Sequence, residues 1–226
     1  MLTQKGFAKE VGEKAVIWID PAKITHHTSS KWPVTRDRIN RANARFPKFI
    51  VNLFKPSFRK YEPFVTPAHL FTVTGPLIES RKFQIVQDFI ARKDTPKASI
   101  WFQELENTLE KTGVARHKDI EMQSIADILK FFSDYVGPLV DDLATNGYVA
   151  NHTGFESTAV IGADGALIKS ASGNHRFSIC KAIGTPNFPL RIVGMHADYF
   201  AAHARTQSPT ANAIIPLLSP IEAMYR

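Results

Sequence analysis

The chain has 226 residues, 44% hydrophobic and 22% charged, a balance that supports a sizeable core and excludes wholesale disorder. Its single cysteine, Cys180, excludes a disulfide framework and a cysteine-rich zinc site and reads as a buried thiol. No apolar run approaches the roughly 20 residues of a spanning helix, and Met1 to Glu13 lacks a signal-peptide pattern, so a cytoplasmic location is expected. The net charge of +7 is uneven: residues 21–60 hold ten Lys/Arg against Asp37 alone, +9 against −2 for the remainder. That window is either a solvated basic face or the contact for an anionic partner such as nucleic acid, an acidic metabolite or a charged lipid.

Lys14 to Asp20 reads as a strand stopped by Pro21. Thr35 to Phe46 is expected as a helix with Thr35 as N-cap, Ile39, Ala42 and Phe46 inward, and Arg38, Arg41 and Arg45 on another face, ended by Pro47. From Phe49 to Ile78 the prolines Pro56, Pro63, Pro67 and Pro76 point to extended segments, with a strand at Leu70 to Thr74. The aromatics Trp32, Phe46, Phe49, Phe54, Phe58 and Tyr61 are expected mainly in the core, although their interleaving with arginines also suits base stacking.

Residues 79–147 read as helical. Phe83, Val86, Phe89 and Ile90 mark a first helix. Thr95-Pro96 opens a second that carries Trp101, Leu105 and Leu109 and stops at Gly113. Ile125, Leu129 and Phe132 mark a third, broken by Gly137-Pro138, and Leu139 to Thr145 form a fourth. Strands then return: Ser157 to Ile161, an Ala163-Asp164-Gly165 hairpin turn, and Ala166 to Ser170. His175 to Ile183 is a short helix ended by Gly184, Phe188 to Val193 a strand and Ala197 to Arg205 a helix, before a strap punctuated by Pro209, Pro216 and Pro220. The expected fold is α+β in three parts: 1–78, a helical insertion or subdomain at 79–147, and 148–226.

The most informative stretch runs from Asp164 to Phe177. Gly173-Asn174-His175-Arg176 at the start of a helix gathers free backbone N–H groups, an imidazole and a guanidinium, which suits phosphate binding. Lys169, Ser170 and Ser172 lie just upstream as further donors. The competing reading is that Asn174 caps the helix while His175 and Arg176 satisfy backbone carbonyls.

This run, with Leu139 to Gly147 ahead of it, Gly184 and the strand Pro189 to Val193 behind it, and Ile19-Asp20-Pro21-Ala22-Lys23-Ile24 near the N-terminus, resembles the ParB/sulfiredoxin superfamily. The resemblance implies a small mixed sheet with short helices and a nucleotide held at Gly173, Asn174, His175 and Arg176, with ATP ahead of CTP and Mg²⁺ as the accompanying metal. Sulfiredoxins carry a catalytic cysteine where this chain has Asn174, and Cys180 sits too far along the apolar side of the helix to replace it. Partitioning members follow the domain with a helix-turn-helix region, whereas about forty residues follow Gly184 here.

A third branch phosphorylates small hydroxylated metabolites with an acidic general base, so a phosphotransferase or nucleotide hydrolase is the leading expectation. Glu156 is the leading candidate base, with Asp20 and His175 as further catalytic candidates; Asp164 reads as a turn residue. The alternative is a nucleic-acid-binding protein that uses Arg38, Arg41 and Arg45. His26-His27, His196 with Asp198, and His203 lack metal-site spacing, and no metal ligand is assigned.

Overall fold

A computed structural model describes residues 1–149 and 157–226. Thr3 caps α1 (Gln4–Val11) by accepting from the Gly6 N–H, and β1 (Val16–Ile19) and β2 (His26–His27) follow. The basic region then forms two helices, α2 (Pro33–Asn43) and α3 (Lys48–Lys60), packed against each other as a hairpin. Thr35 is not the cap of α2 but a buried residue inside it, whose hydroxyl donates to the Phe58 carbonyl. The helix opens on Pro33, and the fully buried Glu62 carboxylate takes the Val34 and Thr35 N–H groups at 2.9 and 2.6 Å. A remote acid thus does the work expected of a local cap.

Pro47 ends no helix; it precedes α3, which occupies the segment expected to be extended and carries Pro56 within it. The strand expected at Leu70 to Thr74 is absent. Ala68 to Leu70 is a 3₁₀ turn, and the paired residues are β3 (Val65–Thr66) and β4 (Gly75–Pro76).

The helical block contains α4 (Arg81–Ala91), α5 (Ile100–Thr112), α6 (Ile125–Phe131) and α7 (Gly137–Asn146). Ser99, not Thr95, caps α5, because Pro96 belongs to a separate 3₁₀ turn. Gly137-Pro138 does not break the chain's helical path: α6 runs through a π turn at Phe132–Val136 into α7, whose first turn accommodates Pro138. Between α5 and α6 lies an unforeseen hairpin of β5 (Ala115–His117) and β6 (Ile120–Met122).

The last part follows the expected order of β7 (Ser157–Ile161), β8 (Leu167–Lys169), α8 (Asn174–Ile183), β9 (Phe188–His196) and α9 (Ala197–His203). The proline-rich end is a helix, α10 (Ala211–Tyr225), despite Pro216 and Pro220, because Ile214, Leu218 and Ile221 bury one side of it.

The fold is α+β. A mixed sheet runs β1-β9-β7-β8-β2-β4, with β3 also paired to β9. Every residue of β7 is buried, so the sheet is covered on both faces there. The helix α8 packs on β7, α4 and α7 pack on α8, and α10 packs along β1. One continuous apolar core joins the sheet to the helical block through Phe89, Trp101, Phe132, Phe177 and Phe188. On the outer side of β1, Val16 N–H donates to the Glu13 carbonyl, Trp18 N–H to Glu222 Oε1 and Asp20 N–H to the Tyr225 carbonyl.

Candidate functional site

The turn between β8 and α8 is built from below. Ser170 extends the hairpin, its N–H donating to the Thr158 carbonyl and its hydroxyl bonded to Thr158 Oγ1. Gly173 follows with φ 65°, so close to β7 that Ser157 Oγ donates to its carbonyl at 2.6 Å. Gly173 is itself the N-cap of α8 and offers no side chain, which leaves the N–H groups of Asn174, His175 and Arg176 without intrahelical acceptors.

Lys169 holds the turn from inside. Only 1% exposed, its ammonium donates to the carbonyls of Ser170 (2.7 Å) and Ser172 and to Asn174 Oδ1 at 2.9 Å. Burial, with Lys82 and Lys31 nearby, pushes its pKa well below the usual lysine range. Outside the turn, the half-buried Lys31 donates to Ser172 Oγ at 2.9 Å.

Two adjoining cavities, about 260 and 230 Å³, flank the turn and share Lys82, Ala171 and Asn174. The first is bounded by His27, Thr28 and Ser29 from β2 and the loop after it, and by Arg81 from α4. The second is walled by Trp101, His117, Lys118 and Tyr135 of the helical block, facing His175 and Arg176. The His175 ring lies parallel to the Trp101 indole, centroids 5.2 Å apart, and meets His117 edge-on at 4.9 Å.

Arg81, Lys82, Lys118, Lys169 and Arg176 line the two cavities, and no aspartate or glutamate does among the described residues. Arg81 is ion-paired with Glu104 outside them. Lys82 and Arg176 have no hydrogen-bonding or ionic partner among the described residues. The cleft is therefore positively charged and holds free donors, a combination suited to a polyanion.

Burial pushes both His175 and His117 down to about 4, helped at His175 by His117, Lys82 and Lys118, and at His117 by Lys118. Both are neutral at pH 7. In the unfolded chain they take protons near 6.5, so between about 6.5 and 4 the unfolded state binds more protons. The stability lost to these two histidines should be nil above about pH 7 and grow as pH drops through that window. Denaturant melts across that range should show the loss, and His117→Phe, which suits the surrounding aromatic cluster, should remove part of it.

Several expected site residues change role. Lys169 and Ser170 are buried structural groups, not ligand donors, because their polar atoms are consumed by the turn and by β7. Ser172 is engaged by Lys31. Asn174 does not cap α8; its side chain receives the Lys169 ammonium. Gly173, Asn174, His175 and Arg176 do line the cleft. Asp20 does not: it caps a 3₁₀ turn by accepting from Ala22 N–H, beside Lys181 toward the C-terminal end of α8. Glu156 lies outside the described residues.

Arg38 donates to the Tyr61 carbonyl, Arg41 pairs with Asp37, and Arg45 lies beyond the end of α2. His27 lines the first cavity while its neighbour His26 is exposed. His196 caps α9, and His203 stacks on Tyr199. Among the described residues no group of three His, Cys, Asp or Glu can hold a metal ion. Burial raises the Cys180 thiol to about 12, so it offers no thiolate at neutral pH.

No protein-family model, curated protein or solved structure matches the chain. No helix among the described residues is long and apolar enough to cross a membrane. The residues missed by sequence reasoning include Arg81, Lys82, Trp101, His117, Lys118 and Tyr135, which reach the cleft from the helical block. One signal was available for His117: the alternation Ala115-Arg116-His117, followed by Lys118-Asp119, is a short strand and turn.

Proposed function

We propose that the protein binds a nucleotide with its phosphates against Gly173, His175 and Arg176 and acts as a phosphotransferase or nucleotide hydrolase of the ParB/sulfiredoxin-like kind. The observation that carries this reading is the cleft's charge: Lys82, Lys118 and Arg176 line it around a helix start capped by glycine, and none of the described lining residues is a carboxylate. Phosphate suits such a place because it accepts from several N–H groups and from a guanidinium at once. The succession of hairpin, Gly173 turn, α8 and β9 in a mixed sheet supports the resemblance. The half-buried Tyr135, with the His175 ring that stacks on Trp101, gives the second cavity aromatic surface against which a base can pack.

In the transfer step the acceptor's hydroxyl oxygen bonds to the terminal phosphorus, the bond from that phosphorus to the bridging oxygen breaks, and the nucleoside diphosphate leaves with the electron pair. The hydroxyl proton passes to the His175 imidazole, which is neutral at pH 7 in the free protein; the imidazolium, disfavoured there by burial and by neighbouring cations, is stabilised by the negative charge of the bound phosphates. Arg176 and Lys82 neutralise charge on the phosphoryl oxygens. With water as acceptor the same sequence is hydrolysis; with a small hydroxylated metabolite it is a kinase reaction.

Titration calorimetry with ATP and CTP tests the reading. Arg176→Ala should weaken binding by about 1.5–3 kcal/mol, the value of a charged hydrogen bond. No binding by the parent protein, or unchanged affinity in a folded Arg176→Ala variant, overturns it.

A further inference from the structure

The α2–α3 hairpin takes no part in the cleft's lining described above, and its chemistry is different. From Pro33 to Lys60 it carries eight Lys/Arg and one acid, a charge of +7 that equals the net charge of the whole chain. Every residue from Asn43 to Phe49, where the two helices are joined, is exposed.

The apolar residues of α3 are divided between two sides. Val51, 2% exposed, and the half-buried Phe58, seven residues on, turn inward. Phe49 and Leu53, four residues apart, together with Phe54, turn outward and are 69%, 75% and 55% exposed; Phe46 in the connection is also open to solvent. Arg45 and Lys48 stand exposed at the same end, and Arg59 and Lys60 are exposed at the other end of α3, over the rings of Trp32 and Tyr61. The sequence expectation that these aromatics lie in the core is overturned here, since Phe46, Phe49, Phe54 and Tyr61 are all more than half exposed.

We propose that this hairpin docks on the surface of a bilayer containing anionic phospholipid, inserting Phe46, Phe49, Leu53 and Phe54 below the headgroups while Arg45, Lys48, Arg59 and Lys60 meet lipid phosphates. An amphipathic helix with Phe and Leu on one side and Lys/Arg flanking them has the chemistry of interfacial binding. Charge complementarity selects the occupant. A second copy of the chain would bring +7 against +7, which disfavours self-association. Nucleic acid accounts for the cations but leaves Leu53, the most exposed of these residues of α3, without a role.

Co-sedimentation of the full chain with phosphatidylcholine vesicles, with and without phosphatidylglycerol, tests the proposal. Binding is expected only with phosphatidylglycerol present and should weaken as salt rises. Phe49→Ser with Leu53→Ser should reduce it at least tenfold, roughly, through the lost apolar burial, and Lys48→Ala by about fivefold. These side chains are exposed, so circular dichroism should show the fold retained. Failure to bind phosphatidylglycerol vesicles, equal binding to neutral ones, or binding undiminished in the double serine variant overturns the proposal. So does salt-sensitive retention of labelled DNA by a protein that ignores the vesicles, which assigns the hairpin to nucleic acid.

Discussion

Gly173→Ala is expected to lower folding stability by about 3 kcal/mol, from the left-handed backbone conformation and overpacking together, and to abolish nucleotide retention. At φ 65° an alanine is strained before its surroundings are considered. A Cβ there would also lie 2.6 Å from Ser157 Cα and 2.8 Å from Ser157 N, contacts with backbone that no rotamer change relieves. Relief requires the turn to lift off β7, which moves the N–H groups of Asn174, His175 and Arg176 together. Gly184→Ala is the natural control, since Gly184 has a similar φ of 74° with nothing within 4 Å of its would-be Cβ. It should cost only the conformational part, about 1 kcal/mol. Urea midpoints of the two variants decide the matter: equal losses would mean that the close approach of turn and strand is absent.

Lys169→Met should cost about 2 kcal/mol and weaken the same nucleotide affinity, although Lys169 is not assigned a ligand contact. Methionine nearly preserves volume but leaves the carbonyls of Ser170 and Ser172 and the Asn174 amide oxygen without their charged donor. Removing the buried charge offsets part of that loss. The pH dependence distinguishes this account from a simple packing defect. Because burial depresses the lysine in the fold, the unfolded chain binds more protons below its ordinary value of 10.5. The parent's stability should therefore gain a rising contribution as pH approaches 10.5 from below, and Lys169→Met should lose it. Melts of the two proteins from neutral to alkaline pH read this directly, and parallel curves would sink the assignment.

The segment from β7 to β9 was legible because each local signal there agrees with the fold: Asp164-Gly165 turns the hairpin, Gly173 and Gly184 bracket a short helix, and the apolar runs belong to covered strands. α3 and α10 were not legible, because proline is a helix breaker on local grounds. In α10 the burial of Ile214, Leu218 and Ile221 outweighs two missing N–H donors. Thr35 misled for a similar reason, since its N–H is satisfied by Glu62, 27 residues away. The cleft was half legible. Its floor is contiguous in sequence, while its aromatic wall comes from α5, the β5–β6 hairpin and the π turn. The opposite error, placing Lys169 and Ser170 among the ligand donors, arose because a sequence does not reveal that a polar atom is already spent on its own backbone.

The hydrogen bonds along the outer side of β1 bear on how this protein can associate. In a strand the outward N–H groups belong to alternate residues, here Val16, Trp18 and, just past the strand, Asp20, and all three are already committed to Glu13, Glu222 and Tyr225. At the other margin the sheet ends in the two residues Gly75–Pro76, one of which has no N–H to offer. Neither of these two margins offers a row of free N–H groups onto which an extended segment of another chain can be added.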